Sequence, residues 1–127
     1  MPTWKGSCHC GAVAFEADGT IDHVVACNCS WCRRTGFLHW QVEPSMFRLL
    51  SGADLLTTWQ FGTMTSKNTF CRVCGIVPFR RSRSDPHLVD VNVRCLEGVD
   101  PDTVAIESFD GRHWEAAMAA RRAREVT

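Results

Sequence analysis

Short stretches of alternating apolar and polar residues, separated by turn-forming residues, run along most of this 127-residue chain. The stretch "AVAFEA" places Val13 and Phe15 on one face and Ala14 on the other, which is the pattern of a strand with one buried face. The stretch "LVDVNVRCL" has the clearest alternation, and we expect one face to carry Val89, Val91, Val93 and Cys95. These patterns predict β-strands.

Further strands are predicted between breakers such as "EPS" and "SGAD", in "HVVACN", "FLHWQV", "MFRLL", "LLTTWQF", "KNTF" and "IVPFR". The stretch "SWCRRTG" predicts one helical turn that ends at Gly36. A longer helix is expected only near the C-terminus, where Asp110 would cap "GRHWEAAMAARRAR". The chain shows no internal repeat or linker, so we predict one mainly β domain over residues 1–127 with a short C-terminal helix.

Composition and charge exclude several classes of protein. The formal net charge is zero, which argues against electrostatic binding of nucleic acid, and "RRSRSDP" is interpreted as a solvated loop. No apolar run approaches the roughly 20 residues that cross a bilayer, and the N-terminus has no apolar stretch typical of a secretory signal. We therefore expect a cytoplasmic protein without a membrane or nucleic-acid partner. The sequence does not indicate an oligomeric state.

Eight cysteines are the unusual feature of the composition. Seven of them fall in tight C-x-C and C-x-x-C groups, which favours metal ligation over disulfides in a reducing compartment. Two groups end in Cys-Gly, as in a zinc knuckle, where glycine allows a tight turn around the sulfur atoms. Together they supply the four thiolates of a closed, tetrahedral zinc site. The predicted structural ligands are Cys8, Cys10, Cys71 and Cys74.

The middle group, Cys27, Cys29 and Cys32, offers three thiols and no obvious fourth ligand. Three protein ligands with an open position are typical of a reactive zinc ion. Cys95 is predicted to be a core thiol because it shares a face with valines. Histidine is a possible fourth ligand that the sequence does not favour: His9 should point away from its neighbouring cysteines, and His23 and His39 are interpreted as ordinary loop or strand residues.

Arg33 and Arg34 follow the middle group directly. Zinc with three thiolates carries one negative charge, and a substrate thiolate would add another. The two guanidinium groups would offset that charge and could hold a substrate carboxylate in a bidentate contact. The alternative is that these arginines only solvate a turn.

The stretches "GSCHCGAVAFEA", "CNCSWCRRTG", "TFCRVCGIVPF" and "VDVNVRCLEGVD" resemble, in this order, the glutathione-dependent formaldehyde-activating enzyme family, which includes relatives of centromere protein V. The resemblance implies a β-tent fold of small twisted antiparallel sheets held together by zinc. It also implies two zinc ions per chain, one structural and one with an open position on Cys27, Cys29 and Cys32. Asn28 departs from the pattern, since members of the family often carry histidine there.

The reaction implied by the resemblance is the condensation of glutathione with formaldehyde to S-hydroxymethylglutathione, or its reversal by a carbon–sulfur lyase. We therefore expect a zinc enzyme that acts on adducts of glutathione, or a similar thiol, with formaldehyde or another small aldehyde. The alternative is a binding or scaffold domain held together by zinc and without catalytic activity. Nucleic-acid recognition through knuckles and arginines is the weakest hypothesis, because the chain has no net positive charge.

Overall fold

The structure is a computed structural model that describes residues 1–125, so the last two residues of the predicted domain lie outside the described residues. Most of its regular structure is short strands. The ten strands of the described chain are β1 (Thr3–Ser7), β2 (Ala14–Asp18), β3 (Val24–Cys27), β4 (Leu38–Val42), β5 (Phe47–Ser51), β6 (Leu56–Trp59), β7 (Lys67–Cys71), β8 (Phe79–Arg81), β9 (Val89–Asn92) and β10 (Ile106–Phe109). The two α-helices in the same range are α1 (Ser30–Thr35) and α2 (Trp114–Glu125).

The strands form two sheets. A three-stranded antiparallel sheet has the order β1-β2-β5, and a seven-stranded sheet has the order β10-β3-β4-β9-β8-β7-β6. All neighbours in the larger sheet are antiparallel except β10 and β3, which run parallel with Phe109 opposite Cys27. The predicted mainly β fold with small antiparallel sheets and a C-terminal helix is confirmed. The parallel pair was not predicted.

The hydrophobic core lies between the two sheets. Phe15 of β2 stacks on Phe47 with ring centroids 5.4 Å apart and meets Phe79 of the larger sheet edge-on at 5.9 Å. The predicted face of "AVAFEA" is confirmed, because Val13, Phe15 and Ala17 are fully buried. A Cβ atom at Gly6 would overlap the ring of Phe15, so glycine allows β1 to lie directly against this ring. The remaining buried core residues come from the larger sheet and its connections, namely Val24, Leu38, Trp40, Val42, Val89, Val91, Val93 and Leu96.

The strand predicted over "LVDVNVRCL" is shorter than expected. It ends at Asn92, whose side-chain oxygen accepts a hydrogen bond from the Arg94 amide and starts a 3-10 turn at Val93–Cys95. The polar face is not solvent-exposed either, because Asp90 and Asn92 are as buried as the valines. Cys95 therefore leaves the strand and is only half-buried, which corrects its placement on the valine face.

The two helices begin and end largely as predicted. The Cys29 side chain caps α1 by accepting a hydrogen bond from the Cys32 amide, and Gly36 ends the helix with a positive φ of 71°. Asp110 does not cap a helix with its side chain; instead a 3-10 turn at Gly111–His113 precedes α2. The longer helix, α2, has 12 residues, and no helix within residues 1–125 is long and apolar enough to cross a bilayer.

Candidate metal centres and active site

The first cysteine cluster joins the end of β1 to the end of β7. The Sγ atoms of Cys8, Cys10, Cys71 and Cys74 all lie within 4.8 Å of one another. Cys10 and Cys71, 61 positions apart in the chain, have sulfur atoms separated by 3.8 Å. Gly11 and Gly75 follow the two cysteine pairs with φ values of 81° and 79°, so each pair ends in the tight turn that the sequence predicted.

Four sulfur atoms so placed could hold a metal ion, and they fit zinc in a closed tetrahedral site. The Val13 amide donates a hydrogen bond to Cys8 Sγ at 3.4 Å. Burial opposes ionisation of Cys74, yet hydrogen bonds from the amides of Cys10 and Ile76 lower the pKa of this thiol to about 6. Cys8 and Cys71 are buried, so the cluster is closed on the side of the protein interior.

The second cluster surrounds the start of α1. Cys27 is the last residue of β3, Cys29 caps α1, and Cys32 lies in its first turn; their Sγ atoms are within 4.8 Å of one another. The Cys29 amide donates to Cys27 Sγ at 3.4 Å, and the Cys32 amide donates to Cys29 Sγ at 3.3 Å. The strand-to-helix turn thus aims backbone donors at the sulfur atoms, which could hold a second metal ion.

The three thiols of the second cluster share negative charge unequally. Hydrogen bonds from Cys27 and Cys32 lower the pKa of Cys29 to about 2. The same contacts, together with burial, raise the pKa of Cys32, and the contact with Cys29 raises the pKa of Cys27. One thiolate is therefore favoured and the next two are disfavoured. Three thiolates at this spacing require a nearby cation, which is the role a metal ion would have.

His39 of β4 lies beside this cluster. Its Nε2 atom is 3.2 Å from Cys32 Sγ, and its Nδ1 atom is 2.6 Å from Asp90 Oδ2 on the neighbouring strand β9. Since a carboxylate oxygen only accepts, Nδ1 carries the proton. His39 nevertheless falls outside the set of ligand atoms that lie within 4.8 Å of one another, so among the described residues the second cluster contains three cysteines and no fourth side chain.

The other candidates for a fourth ligand lie elsewhere. His23 is exposed and pairs with Glu107 at 3.3 Å, and His9 is exposed on the turn of the first cluster. Cys95 is not part of either cluster; its Sγ lies 3.9 Å from the Val77 carbonyl oxygen, and burial raises its pKa to about 11.

A buried polar network that the sequence did not reveal extends away from His39. Arg80 of β8 is only 8% exposed, and its Nη1 donates to Asp90 Oδ2 at 3.5 Å. The guanidinium carbon of Arg80 lies 4.6 Å from the ring centroid of Trp31, the residue before Cys32. Arg80 Nε and Asp90 Oδ1 are buried without a hydrogen-bond partner among the described residues. The sequence signal for this network is one polar or charged residue in each of three largely apolar stretches: His39 in "FLHWQV", Arg80 in "IVPFR" and Asp90 in "LVDVNVRCL".

The segment before α2 packs directly against the second cluster. Asn28 donates from Nδ2 to Asp110 Oδ1 at 2.8 Å and accepts from the Arg112 amide at 2.9 Å. Between these two contacts, Gly111 approaches the cysteines so closely that a Cβ atom there would overlap Cys27 Sγ. The residue that departs from the family pattern, Asn28, therefore holds the C-terminal segment in place.

A cavity of about 770 Å³ opens beside the second cluster, within the range of small-molecule sites. All three cysteines of the cluster line it, and so do His39 and Asp90. Its Trp, Phe and Arg lining consists of Trp31, Trp40, Phe61, Phe109, Trp114, Arg80, Arg83, Arg112, Arg121 and Arg124.

The predicted arginines of α1 do not line this cavity. Arg33 and Arg34 are both exposed, and Arg34 Nη1 donates to the Ser30 carbonyl oxygen at 2.8 Å. The contact between these side chains and a substrate carboxylate stays a prediction.

Comparison with known proteins agrees with this geometry. The model of the family described as "Glutathione-dependent formaldehyde-activating enzyme" matches residues 3–109. A crystal structure of a Rhodobacter sphaeroides protein is similar over 81% of this chain and 99% of that chain, with 42% sequence identity and a TM-score of 0.74. The matched residues include both cysteine clusters and stop before Asp110 and α2. The chain therefore belongs to the glutathione-dependent formaldehyde-activating enzyme family.

Proposed function

We propose that this protein is a zinc-dependent enzyme of the carbon–sulfur lyase type, acting on adducts of glutathione or a similar thiol with formaldehyde or another small aldehyde. Family membership supports a glutathione-dependent, formaldehyde-related activity. The observation that carries the more specific proposal is the three-cysteine cluster in the wall of the large cavity. A fourth ligand position that faces a cavity is open to a substrate thiol, whereas the four-cysteine cluster is closed.

The proposal assigns two zinc ions to the chain. Cys8, Cys10, Cys71 and Cys74 would hold a structural ion, and the all-sulfur donor set suits zinc. Cys27, Cys29 and Cys32 would hold the second ion and are the proposed catalytic residues. Zinc bound at the second cluster would favour the thiolate form of a substrate thiol near neutral pH.

The side chains of the protein supply position and surroundings for the reaction. Backbone amides at Cys29 and Cys32 donate to two of the sulfur atoms, and Trp31 contributes an aromatic side chain to the cavity wall beside them. In the forward direction the thiolate sulfur forms a bond to the carbonyl carbon while the carbonyl π electrons move to oxygen, which then takes up a proton. In the reverse direction the hydroxyl proton leaves, the carbon–sulfur bond breaks, and thiol and aldehyde are released.

Partners and location follow from the same chemistry. A small-molecule thiol is the proposed partner, and the zero net charge supports the absence of a nucleic-acid partner. A cytoplasmic location is part of the proposal because all clustered cysteines must stay reduced to bind metal.

Replacement of one cluster ligand tests the proposal. Cys32→Ser is expected to retain the fold and one zinc per chain, and to abolish acceleration of glutathione–formaldehyde exchange measured by NMR against the spontaneous rate. The matched control, Cys95→Ser, removes a thiol outside both clusters and should retain two zinc ions and full acceleration.

Three outcomes would contradict the proposed enzymatic function. Unfolding of Cys32→Ser would support a scaffold in which both ions only stabilise the fold. A wild-type protein that holds a single zinc ion, or holds two and does not bind glutathione, would also refute the proposed reaction.

A further inference from the structure

Arg83 is a cavity-lining cation without an acidic partner. It follows β8, and its guanidinium carbon lies 3.7 Å from the ring centroid of Trp114 on α2. Two other arginines of the cavity have acidic partners, since Arg121 forms a bidentate contact with Asp85 and Arg80 contacts Asp90. Within residues 1–125, no carboxylate lies within 4.0 Å of Arg83. A guanidinium group that stacks by its face keeps its edge free for hydrogen bonds.

Arg80 is a second cation whose hydrogen-bonding capacity is incomplete. It is more than nine-tenths buried, lines the same cavity, and its Nε has no partner among the described residues. Its one ion pair, to Asp90, is 3.5 Å long. Buried donors are normally satisfied, so the charge of Arg80 is only partly compensated by its contact with Asp90. Four acidic residues of the same lining already have cationic partners other than Arg83: Asp85 and Glu125 contact Arg121, Asp90 contacts Arg80, and Glu107 contacts His23.

The wall that carries Trp114 lies outside the part of the chain that matches the family model, which ends at residue 109. Contacts at both ends hold it: Asn28 contacts Asp110 before the helix, and Asp85 contacts Arg121 near its end at 2.8 Å. The C-terminal segment therefore adds a fixed surface to the cavity, and Trp114 on that surface packs against the face of the Arg83 guanidinium group.

We propose that Arg83, backed by Trp114, is the subsite for a carboxylate group of the thiol substrate, so that α2 contributes to substrate specificity. This inference rests on the proposed function and assigns to that site a thiol with a remote negative charge. The planar guanidinium edge would donate two parallel hydrogen bonds to the two carboxylate oxygens in a bidentate contact. The assignment differs from the sequence prediction, which gave this role to Arg33 and Arg34.

Isothermal titration calorimetry of three compounds, glutathione and two of its derivatives, against the zinc-loaded protein tests the assignment. Glutathione carries the thiol and both carboxylates, its diethyl ester lacks the negative carboxylates, and S-methylglutathione lacks the free thiol. A hydrogen-bonded charge pair contributes about 1.5–3 kcal/mol, so we expect wild type to bind glutathione at least about tenfold more tightly than the diester. Arg83→Gln should remove this preference.

Arg83→Lys keeps the charge without the planar edge and should retain only part of the preference. The control, Arg122→Gln, makes the same charge change on an exposed position of α2 outside the cavity and should keep the full preference. Thermal unfolding of each variant checks that the fold is retained.

The outcomes separate the subsite from the proposed function. Preference for glutathione that persists in Arg83→Gln, or is lost in Arg33→Gln or Arg34→Gln instead, overturns the subsite. Binding of S-methylglutathione that depends on Arg83, without any gain from the free thiol, supports the subsite and overturns the proposed function. If none of the three compounds binds to wild type, both are wrong.

Discussion

Replacement of Gly111 by alanine should weaken metal binding at the second cysteine cluster and leave the first unchanged. An added Cβ atom would overlap Cys27 Sγ and would lie 3.1 Å from Cys29 Cβ. Two carbon atoms normally approach to about 3.5–4.0 Å, so either the segment before α2 or the Cys27 side chain must move. Excess volume at a packed site typically costs about 1–3 kcal/mol.

A metal site is sensitive to such a displacement because ligand distances vary by only about 0.2 Å. If an overpacking cost of about 2 kcal/mol falls on the metal-bound state, zinc affinity at the second cluster drops by roughly 30-fold. The first cluster is an internal control, because the three atoms nearest to a Cβ at Gly111 all belong to Cys27 and Cys29 of the second cluster. We expect one tightly bound and one easily removed zinc ion.

The assay is a titration of zinc-loaded Gly111→Ala and of wild type with a colorimetric chelator, in which the variant should release its second ion with roughly 30-fold lower affinity than wild type and its first ion unchanged. Gly98→Ala is the matched control, since a Cβ atom there meets nothing within 4 Å but the φ of +76° strains the backbone. That strain costs about 1–2 kcal/mol, so this control lowers stability while both ions stay tightly bound. Wild-type affinity at both sites of Gly111→Ala, or equal weakening of both, would refute the reasoning.

Three further predictions concern the buried ion pairs and the metal ions. Asp90→Asn leaves the buried Arg80 without a counter-charge and should lower the free energy of unfolding by about 3 kcal/mol in urea titrations, whereas the exposed Asp102→Asn should not change it. Asp85→Asn should weaken the packing of α2 and speed its amide exchange, because it breaks the contact with Arg121. Since Arg121 lowers the pKa of Asp85 from 3.8 to about 2, the stabilisation should be complete above about pH 4 and lost as the pH falls towards 2. A strong chelator under reducing conditions should remove the second ion before the loss of β structure and the first ion only with it, as followed by circular dichroism.

The sequence predicted those parts of the fold that depend on local pattern. Alternation in "AVAFEA" identifies β2 because one face of that strand is buried, and the Cys-Gly pairs identify the turns because only glycine adopts positive φ readily. Cysteine spacing grouped the seven thiols into the two clusters that the structure brings together. Each of these signals lies within a few neighbouring residues.

The unpredicted parts depend on register between distant strands. His39 and Asp90 are 51 positions apart and meet because β4 lies beside β9, which no periodicity along one strand can show. Alternation in "LVDVNVRCL" separates Asp90 from the valines but does not show that its side is buried too, because here both faces of β9 are covered. Strand β10 was missed because Ile106–Phe109 is mostly exposed and has no buried face to create a pattern.

The position of Asn28 links metal content to the end of the polypeptide. Its side chain lies between two neighbouring ligands and fastens the stretch that leads into α2. When the metal leaves, no ion holds the cysteines on either side of Asn28, so we expect the anchor of that stretch to loosen together with the ligands. The rate at which a protease cleaves the segment from Asp110 into α2 would then report metal loading: fast in protein without zinc and slow in zinc-loaded protein.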